Sequence, residues 1–365
     1  MIHRLCDWLT LANDIKENNR KIVMFGAGLI GQIIVPKILE EYGLLPYVSI
    51  VLDNDSTKWD SVINLCGKEV LIASPQVLKE YDSNTAIFLN ISRFENVYKM
   101  LMDMPCTEDM QLYITPMILI DNFCKGVSGG SAERTDKPLI PKKIHYTWFG
   151  SNPMPTNLQK CIDSWKKYCP DYEIIRHSEA NYDVRKNAYI EAAYDKGAYA
   201  YVSDFARLDV LYEYGGIYMD TDVELIRSLD DMLYQDAFCG VEKWQDVTFG
   251  SVSGSVPGNK TLYEFIKFRE NLKFDAKNTC GFYDTQTALR LGYRIDGMTQ
   301  RVGDMNIYAY DYFLPYDYMS GKCTITSNTY AIHWYNGGWL DEASRVANEK
   351  TKASYDEVYE KCQVL

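Results

Sequence analysis

The chain has 365 residues, enough for two domains with separate cores, and its 47% hydrophobic and 13% aromatic content predicts a folded protein. Its formal net charge of −12 argues against a nucleic-acid partner, which would select a basic surface. The same negative charge means that an anionic ligand would need a cation at its binding site.

Ten cysteines are spread along the chain without Cys-x-x-Cys or zinc-finger spacing, and only four histidines accompany them. This pattern predicts reduced thiols rather than a zinc site. The first 18 residues alternate apolar and charged positions, unlike a signal peptide, and the sequence contains no run of about 18 apolar residues that would predict a membrane span. We therefore expect a cytoplasmic protein, which would work at the inner membrane face if its acceptor is lipid-linked.

The first third of the chain has the pattern of a small parallel domain. Residues 1–18 predict an amphipathic helix, and strands then alternate with helices. Predicted strands lie at 22–25, 48–52, 70–72 and 86–90, and predicted helices at 29–42 and 94–102. This alternation predicts a Rossmann-like domain over residues 1–123, followed by a linker rich in glycine, serine and charge at 124–138.

A glycine-rich turn, Gly26-Ala-Gly-Leu-Ile-Gly31, stands between a strand and a helix of this domain, and Asp53 ends the next strand. The pattern is typical of dinucleotide binding. The hypothesis of an NAD-dependent oxidoreductase rests on this pattern alone. It is disfavoured, because a domain of roughly 100 residues leaves no room for a second half-fold and hydride-transfer residues. The segment resembles a Rossmann-like module that is fused to various polysaccharide-biosynthesis proteins. Two roles stay open: a phosphate ligand at the helix N-terminus, or a purely structural part.

The most informative stretch spans residues 200–222. Asp204 and Arg207 share one face of a predicted helix, and Gly215-Gly216 ends that helix where a left-handed residue is wanted. A short buried strand follows at 217–219 and leads into Asp220-Thr-Asp222. Period-two alternation predicts that the two carboxylates point the same way, as a site for Mg²⁺ or Mn²⁺ that would hold a diphosphate.

This stretch, Ser-Asp-x-x-Arg followed by Gly-Gly-x-Tyr-x-Asp-x-Asp, resembles the core of glycosyltransferase family 32. That family contains bacterial capsule and polysaccharide sugar transferases related to initiating mannosyltransferases. The resemblance begins at Ile-Pro-Lys-Lys-Ile-His-Tyr-Thr-Trp-Phe-Gly (140–150) and ends at Asn-Thr-Tyr-Ala-Ile-His-Trp-Tyr-Asn-Gly-Gly-Trp (328–339). It implies an α/β protein in which a GT-A type nucleotide-sugar transferase domain occupies residues 139–340, with a helical tail at 341–365.

The resemblance also implies roles for individual residues. Without it, Trp148 and His333 would be core residues, and Asp204 with Arg207 a helical ion pair. The implied roles are Trp148 stacking on the donor base, Asp204 and Arg207 binding the donor and acting in catalysis, Asp220 binding both donor and metal, Asp222 and His333 binding the metal, and Trp339 covering the leaving diphosphate.

No carboxylate is an obvious nucleophile, and the resemblance implies retention of the anomeric configuration. Asp284, to which we give a catalytic role, and Glu242 are the acids expected to meet the acceptor. Each is equally compatible with a surface carboxylate.

These patterns together predict a metal-dependent glycosyltransferase with Mn²⁺ or Mg²⁺. It would move a hexose from a nucleotide-diphosphate sugar, UDP-hexose being favoured over GDP-mannose, to a glycan or lipid-linked acceptor in capsular polysaccharide biosynthesis, with room for peripheral membrane association. The alternative is a non-catalytic sugar-nucleotide-binding or scaffold protein of a polysaccharide-assembly complex. Gly338 and Val256 keep that alternative open, because they replace the serine and histidine usual in the family.

Overall fold

The computed structural model describes residues 1–276, 278–338 and 340–363. Two compact units emerge from its contacts: unit 1 comprises Met1–Lys125, Tyr318–Gly321 and Leu340–Leu365, and unit 2 comprises Gly126–Asp317 and Lys322–Trp339. The segment predicted as a linker therefore joins unit 2 from its third residue, and the C-terminal segment belongs to unit 1.

Unit 1 is built on a seven-stranded sheet. Its strands are β1 (Ile2–Arg4), β2 (Lys21–Phe25), β3 (Val48–Leu52), β4 (Val62–Leu65), β5 (Lys68–Ala73), β6 (Thr85–Leu89) and β7 (Gln111–Ile114). They lie in the order β1-β7-β6-β2-β3-β5-β4, and β4 is antiparallel to β5 while the other pairs are parallel. The chain leaves β2 towards β3 and later returns to its other side as β6, so the strand order reverses beside β2.

The helices of unit 1 cover this sheet. They are α1 (Trp8–Glu17), α2 (Val35–Glu41), α3 (Glu95–Met102), α4 (Thr115–Phe123) and the C-terminal α11 (Glu342–Gln363). The prediction of one helix over residues 1–18 was wrong at its start, because residues 2–4 pair with β7 and Asp7 then caps α1 through the backbone N–H of Thr10. The segment predicted as a tail is α11, which contacts α3 and β1.

Unit 2 contains a larger mixed sheet. Its strands are β8 (Lys143–Thr147), β9 (Glu173–His177), β10 (Gly216–Met219), β12 (Ala237–Val241), β13 (Val247–Thr248), β14 (Val252–Ser255), β15 (Gln300–Val302) and β16 (Met305–Tyr308). The order is β15-β16-β12-β14-β10-β8-β9, with β13 beside β12. A separate ribbon pairs β11 (Val223–Leu225) with β17 (Ala331–His333) in antiparallel fashion.

Helices pack around the sheet of unit 2. They are α5 (Thr156–Tyr168), α6 (Ala188–Asp195), α7 (Tyr199–Tyr214), α8 (Lys260–Glu270), α9 (Cys280–Arg290) and α10 (Tyr310–Phe313). Trp165 of α5 is fully buried, and its indole Nε1 donates to the carbonyl of Val223 at 2.7 Å, which anchors β11. The predicted α/β class, with a small and mainly parallel Rossmann-like domain followed by a second α/β domain, is confirmed.

Two glycines make the turn between α7 and β10. Gly215 has a backbone φ of 62° and Gly216 a φ of 103°, values that residues with a Cβ rarely adopt. A Cβ on Gly215 would lie 2.6 Å from the ring of Pro257. The predicted helix stop is therefore confirmed, and it sends the chain directly into the strand that precedes Asp220. No described helix is both long and apolar enough to cross a membrane.

Candidate active site

Helix α7 places Asp204 and Arg207 one turn apart on its buried side. Asp204 is 8% exposed and Arg207 is 4% exposed, and Nη2 of Arg207 lies 3.0 Å from Oδ1 of Asp204. The spacing predicted this contact as a helical ion pair. Its burial distinguishes it from an ordinary surface pair, because charges away from water interact more strongly and are costly unless paired.

Arg207 also binds the first acid of the Asp-x-Asp motif. Its Nη2 donates to both carboxylate oxygens of Asp220 at 3.1 Å, and the Tyr218 hydroxyl donates to Oδ1 of Asp220 at 2.9 Å. Burial raises the pKa of Asp220, against the lowering effect of Arg207. Arg207 therefore joins the acid of α7 to the acid after β10, and one guanidinium orients two carboxylates.

Gly250, which precedes β14, lies directly against this pair. A Cβ at Gly250 would come within 2.6 Å of Oδ2 of Asp220 and 2.8 Å of Nη1 of Arg207. Its carbonyl accepts a hydrogen bond from the backbone N–H of Asp220 at 3.0 Å. Gly250 is thus a site residue that sequence analysis missed, since the only signal was a lone glycine far from the motif.

The second acid of the motif meets His333 through the β11–β17 ribbon. The register pairs Val223 with His333, which brings the imidazole beside Asp222, the residue before Val223. Nε2 of His333 lies 3.2 Å from Oδ1 of Asp222. Although burial opposes both shifts, the contact lowers the pKa of Asp222 and raises the pKa of His333.

Asp220, Asp222 and His333 meet the requirements of a metal site. One ligand atom from each residue lies within 4.8 Å of the others. Nδ1 of His333 is buried and has no described partner, so Nε2 is the ring nitrogen that faces the carboxylates. Two carboxylates and an imidazole suit Mn²⁺, or Mg²⁺ with water completing its shell.

The two acids converge for a different reason from the one predicted. Strand β10 ends at Met219, so Asp220 and Asp222 lie in the connection to β11 rather than in a strand with period-two alternation. The backbone N–H of Val223 donates to the carbonyl of Asp220 at 3.1 Å, which closes a tight turn around Thr221. That turn, together with the ribbon, directs the carboxylates towards one another.

Asp284, predicted to be catalytic, lies within the α8–α9 packing. It is 1% exposed, and Arg269 donates to its Oδ1 from Nε at 3.2 Å and from Nη2 at 2.8 Å. Sγ of Cys280, one helical turn before Asp284, accepts a hydrogen bond from Nη1 of Arg207 at 3.7 Å. The structure therefore places Asp284 in a buried ion pair behind the Arg207 cluster, and its catalytic role stays a prediction.

The donor-binding roles of Trp148 and Trp339 stay predictions. Trp148 follows the last residue of β8, is half-buried, and donates from Nε1 to the carbonyl of Asn152 at 2.9 Å. Among the described residues, no hydrogen bond links it to Asp204 or Asp220. Trp339 lies outside the described residues.

A further carboxylate, Glu242, directly follows strand β12 at the same sheet edge as the Asp-x-Asp motif. Two antiparallel steps separate β12 from β10, so both strands point their carboxyl ends the same way. Trp244 donates from Nε1 to Oε2 of Glu242 at 3.2 Å. Burial raises the pKa of Glu242, against the lowering effect of His333. Buried Asp246 beside it, whose pKa is also raised by burial, was not identified from the sequence.

Two histidines support the start of β10. His145 Nε2 lies 2.9 Å from the carbonyl of Gly215, and His145 Nδ1 lies 2.9 Å from Nε2 of His177. Because a carbonyl only accepts, His145 carries its proton on Nε2 and accepts from His177 at Nδ1. Burial lowers the pKa of His145 to about 4. His145 and His177 are 32 residues apart in the sequence, and no local pattern indicated that they would be in contact.

The glycine-rich turn of unit 1 follows β2 and is capped by its own aspartate. Oδ2 of Asp53 accepts the backbone N–H of Ala27 at 3.0 Å and pairs with Nζ of Lys58 at 2.9 Å. A Cβ on Gly31 would lie 2.0 Å from the carbonyl of Gly26, so only glycine allows this close turn. Asp53, the acidic residue of the predicted dinucleotide-binding pattern, is thus already bound by Lys58 and by the backbone of the glycine-rich turn.

Residues 155–239 match the family model described as glycosyltransferase sugar-binding region containing DXD motif. The matched segment includes α7, β10 and both acids of Asp220-Thr-Asp222. This segment is thus similar to a DXD glycosyltransferase region. The glycosyltransferase expectation is confirmed for this segment, while His333 and Gly250 lie beyond the matched residues.

Three curated relatives match part of the chain. An inositol phosphoceramide mannosyltransferase of Schizosaccharomyces pombe is 36% identical over 136 residues, which are 35% of this chain and 36% of that protein. A second from the same yeast is 33% identical over 153 residues, 39% of this chain and 41% of that protein. A mannosyl phosphorylinositol ceramide synthase of Saccharomyces cerevisiae is 34% identical over 152 residues, 38% of this chain and 37% of that protein. The chain thus spans less than half the length of each relative.

Among solved structures, the PaToxG glycosyltransferase aligns with a TM-score of 0.34 and 19% sequence identity. The alignment covers 48% of this chain and 76% of that chain.

Proposed function

We propose that this chain transfers a hexose from a nucleotide-diphosphate sugar to a hydroxyl acceptor, with a divalent cation held by Asp220, Asp222 and His333. The observation that carries the proposal is the convergence of these three side chains beside the Asp204–Arg207 pair. A bound Mn²⁺ or Mg²⁺ would supply positive charge to the departing diphosphate.

The side chains of the site have separable tasks in this proposal. Arg207 supplies a fixed positive charge next to the donor, because a guanidinium stays protonated at any working pH. Asp204 and Asp220 fix its orientation from two sides. Charge held in place before the reaction costs no reorganisation during it, so this arrangement favours stabilisation of developing charge over proton transfer.

We further propose retention of the anomeric configuration. Arg207 engages both Asp204 and Asp220, and Arg269 engages Asp284, so these acids are held by cations rather than left free to attack. The acceptor hydroxyl would then attack from the face of the leaving group and pass its proton to the departing diphosphate. An α-linked donor gives an α-linked product in this scheme.

The donor nucleotide and acceptor remain part of the proposal. We keep UDP-hexose as the favoured donor, and GDP-mannose is the competing donor because the curated relatives are named mannosyltransferases. Their names also carry an inositol phosphoceramide acceptor, which supports a lipid-linked hydroxyl as acceptor here. Work at the inner membrane face and a role in capsular polysaccharide biosynthesis are retained as predictions of the same proposal.

A ligand screen tests the proposal. Thermal-shift measurements with UDP- and GDP-hexoses, each with and without Mn²⁺, should show one donor that raises the midpoint only with metal, since a ligand of the folded state stabilises it by mass action. The same donor should be slowly hydrolysed, and EDTA should stop hydrolysis. Absence of metal-dependent stabilisation and hydrolysis with every donor would refute the proposal. A β-linked product, read from the anomeric proton coupling, would refute retention alone.

A further inference from the structure

A cavity of about 320 Å³ opens beside Asp222 within unit 2, on the side that faces α5. The transfer chemistry described above assigns it no role. Its polar and aromatic lining comes from α5, from the start of β11, and from the residues that follow β17. These side chains are Asn157, Lys160, Asp222, Glu224, Trp334 and Asn336. Its volume is at the small end of ligand pockets and suits one ring-sized molecule.

Trp334 forms a fixed aromatic wall of this cavity. Its indole Nε1 donates to Oε2 of Glu224 at 2.8 Å, and its backbone N–H donates to the carbonyl of Asp222 at 3.1 Å. The side chain is nevertheless 40% exposed. Trp334 is held by hydrogen bonds at its indole nitrogen and at its backbone N–H, yet it is open to solvent, so it presents a preorganised apolar face. Binding of a ligand to such a face costs little further conformational entropy.

The lining of the cavity also carries hydrogen-bonding groups. Asn157 donates from Nδ2 to Oδ1 of Asn336 at 2.8 Å, and the backbone N–H of Asn336 donates to Oδ2 of Asp222 at 2.7 Å. Amides offer both donors and acceptors, and carboxylates offer acceptors only. An aromatic face with such groups around it is complementary to a ring whose hydroxyls lie at its edge.

The charges of the lining select against an anion. Asp222 and Glu224 contribute two carboxylates, while the exposed Lys160 contributes one ammonium group. Before a cation occupies the neighbouring site, a phosphorylated ligand seated against both carboxylates would be repelled at close range. A neutral ligand with several hydroxyls avoids this cost and satisfies the same acceptors.

We propose that this cavity binds the acceptor, as a neutral polyhydroxylated ring stacked on Trp334, a sugar or a cyclitol. This inference rests on the proposed function. Asp222 belongs both to the cavity lining and to the proposed cation site, so a ring hydroxyl close to Asp222 would lie next to that site. A bond forms between that oxygen and the anomeric carbon, the bond from the anomeric carbon to the diphosphate breaks, and the hydroxyl proton leaves with the diphosphate.

Ligand-observed NMR on the full chain tests the binding site without a donor. Saturation-transfer spectra with methyl α-D-mannopyranoside and with myo-inositol distinguish a sugar from a cyclitol, and linear sorbitol controls for ring shape. We expect at least one ring to bind with a dissociation constant in the millimolar range and sorbitol to bind at least about threefold more weakly, because an open chain loses more freedom on ordering.

Two variants identify the cavity as the place of binding. Trp334→Ala should weaken ring binding at least about tenfold by removing the aromatic face. Asn157→Ala, at an exposed position of α5, should weaken it about three- to tenfold by removing one hydrogen bond. Tyr263→Ala is the matched control, because Tyr263 on α8 is also 40% exposed but lies outside the cavity lining. It should bind like the wild type.

The outcomes separate this inference from the proposed function. Donor hydrolysis by the wild type without binding of either ring would overturn the acceptor site and leave the proposed function standing. Equal ring binding by the wild type, Trp334→Ala and Asn157→Ala, or tighter binding of myo-inositol 1-phosphate than of myo-inositol, would also overturn it. Ring binding without metal-dependent turnover of any donor would refute the proposed function, and the acceptor assignment would fall with it.

Discussion

Unit 1 and unit 2 each place an aspartate just after the carboxyl end of a strand that has a parallel neighbour, but the charges around that aspartate differ. In unit 1, Asp53 pairs with Lys58 and accepts the backbone N–H of Ala27. In unit 2, Asp222 and its neighbouring acids outnumber the cations around them, with Arg207 shared between two carboxylates. The first site is neutralised from within, whereas the second retains negative charge.

This difference shows that a motif at a strand end is not sufficient to predict a ligand. A carboxylate that already has a lysine and a backbone donor gains little from a cation. An excess of partly buried carboxylates destabilises the folded protein until a cation binds. Relief of that unfavourable free energy contributes to the affinity for a metal ion. The comparison predicts that equivalent substitutions in the two units will have very different effects.

The largest contrast should come from removing one carboxylate charge in each unit. Asp222→Asn keeps the side-chain volume but weakens the metal site, so metal-dependent donor hydrolysis should fall at least about 100-fold. Asp53→Asn makes the same change in unit 1 and should leave hydrolysis within about twofold. Calorimetry with donor and Mn²⁺ on both variants measures the binding directly. Undiminished metal-dependent binding by Asp222→Asn would remove the metal assignment.

The next contrast concerns the cations. Arg207→Lys retains the charge but loses the planar fork that reaches Asp204 and Asp220 together, so the rate should fall on the order of 10²-fold, as for loss of one preorganised charge-stabilising donor. Lys58→Arg, the reverse exchange in unit 1, should change the rate by less than about twofold. Steady-state kinetics of donor hydrolysis report both values. A fully active Arg207→Lys would reduce Arg207 to a structural ion-pair partner.

The last prediction concerns acid stability. Burial lowers the pKa of His145 from 6.5 to about 4. At pH values between these two, His145 is therefore protonated in the unfolded chain and neutral in the folded chain. The stability from neutral His145 is complete above pH 6.5 and is lost as the pH falls towards 4, by about 3 kcal/mol. Urea unfolding at pH 7 and pH 4.5 measures this loss. His145→Gln should lose less over the same interval, and parallel losses in both proteins would contradict the assignment.

Sequence patterns identified the parts of the site that are coded locally. The spacing of Asp204 and Arg207 placed them on one helix face, and Gly215-Gly216 marked the end of that helix. Both signals depend on neighbours within a few residues, so they survive any uncertainty about the rest of the fold. Strand β3 was predicted with its observed bounds for the same reason, since it is a short apolar run between turn signals.

Other parts of the site depend on residues far apart in the chain. Arg207 binds Asp220 only because α7 folds back along β10, and His333 meets Asp222 only through the register of β11 with β17. Nothing near Gly250 in the sequence shows that a Cβ there would clash with Asp220. The sequence likewise did not indicate that Asp284 would be buried beside Arg269.

The sequence by itself thus determined the alternation of elements, the helix face with its acid and base, and the two acids after a buried strand. The tertiary structure decided which of these charges remain in excess. Charge balance at a site is a sum over all groups that converge in space, and chain connectivity does not specify that sum. For this reason Asp53 with Lys58 and Asp222 with His333 became distinguishable only when the fold showed which neighbours each carboxylate has.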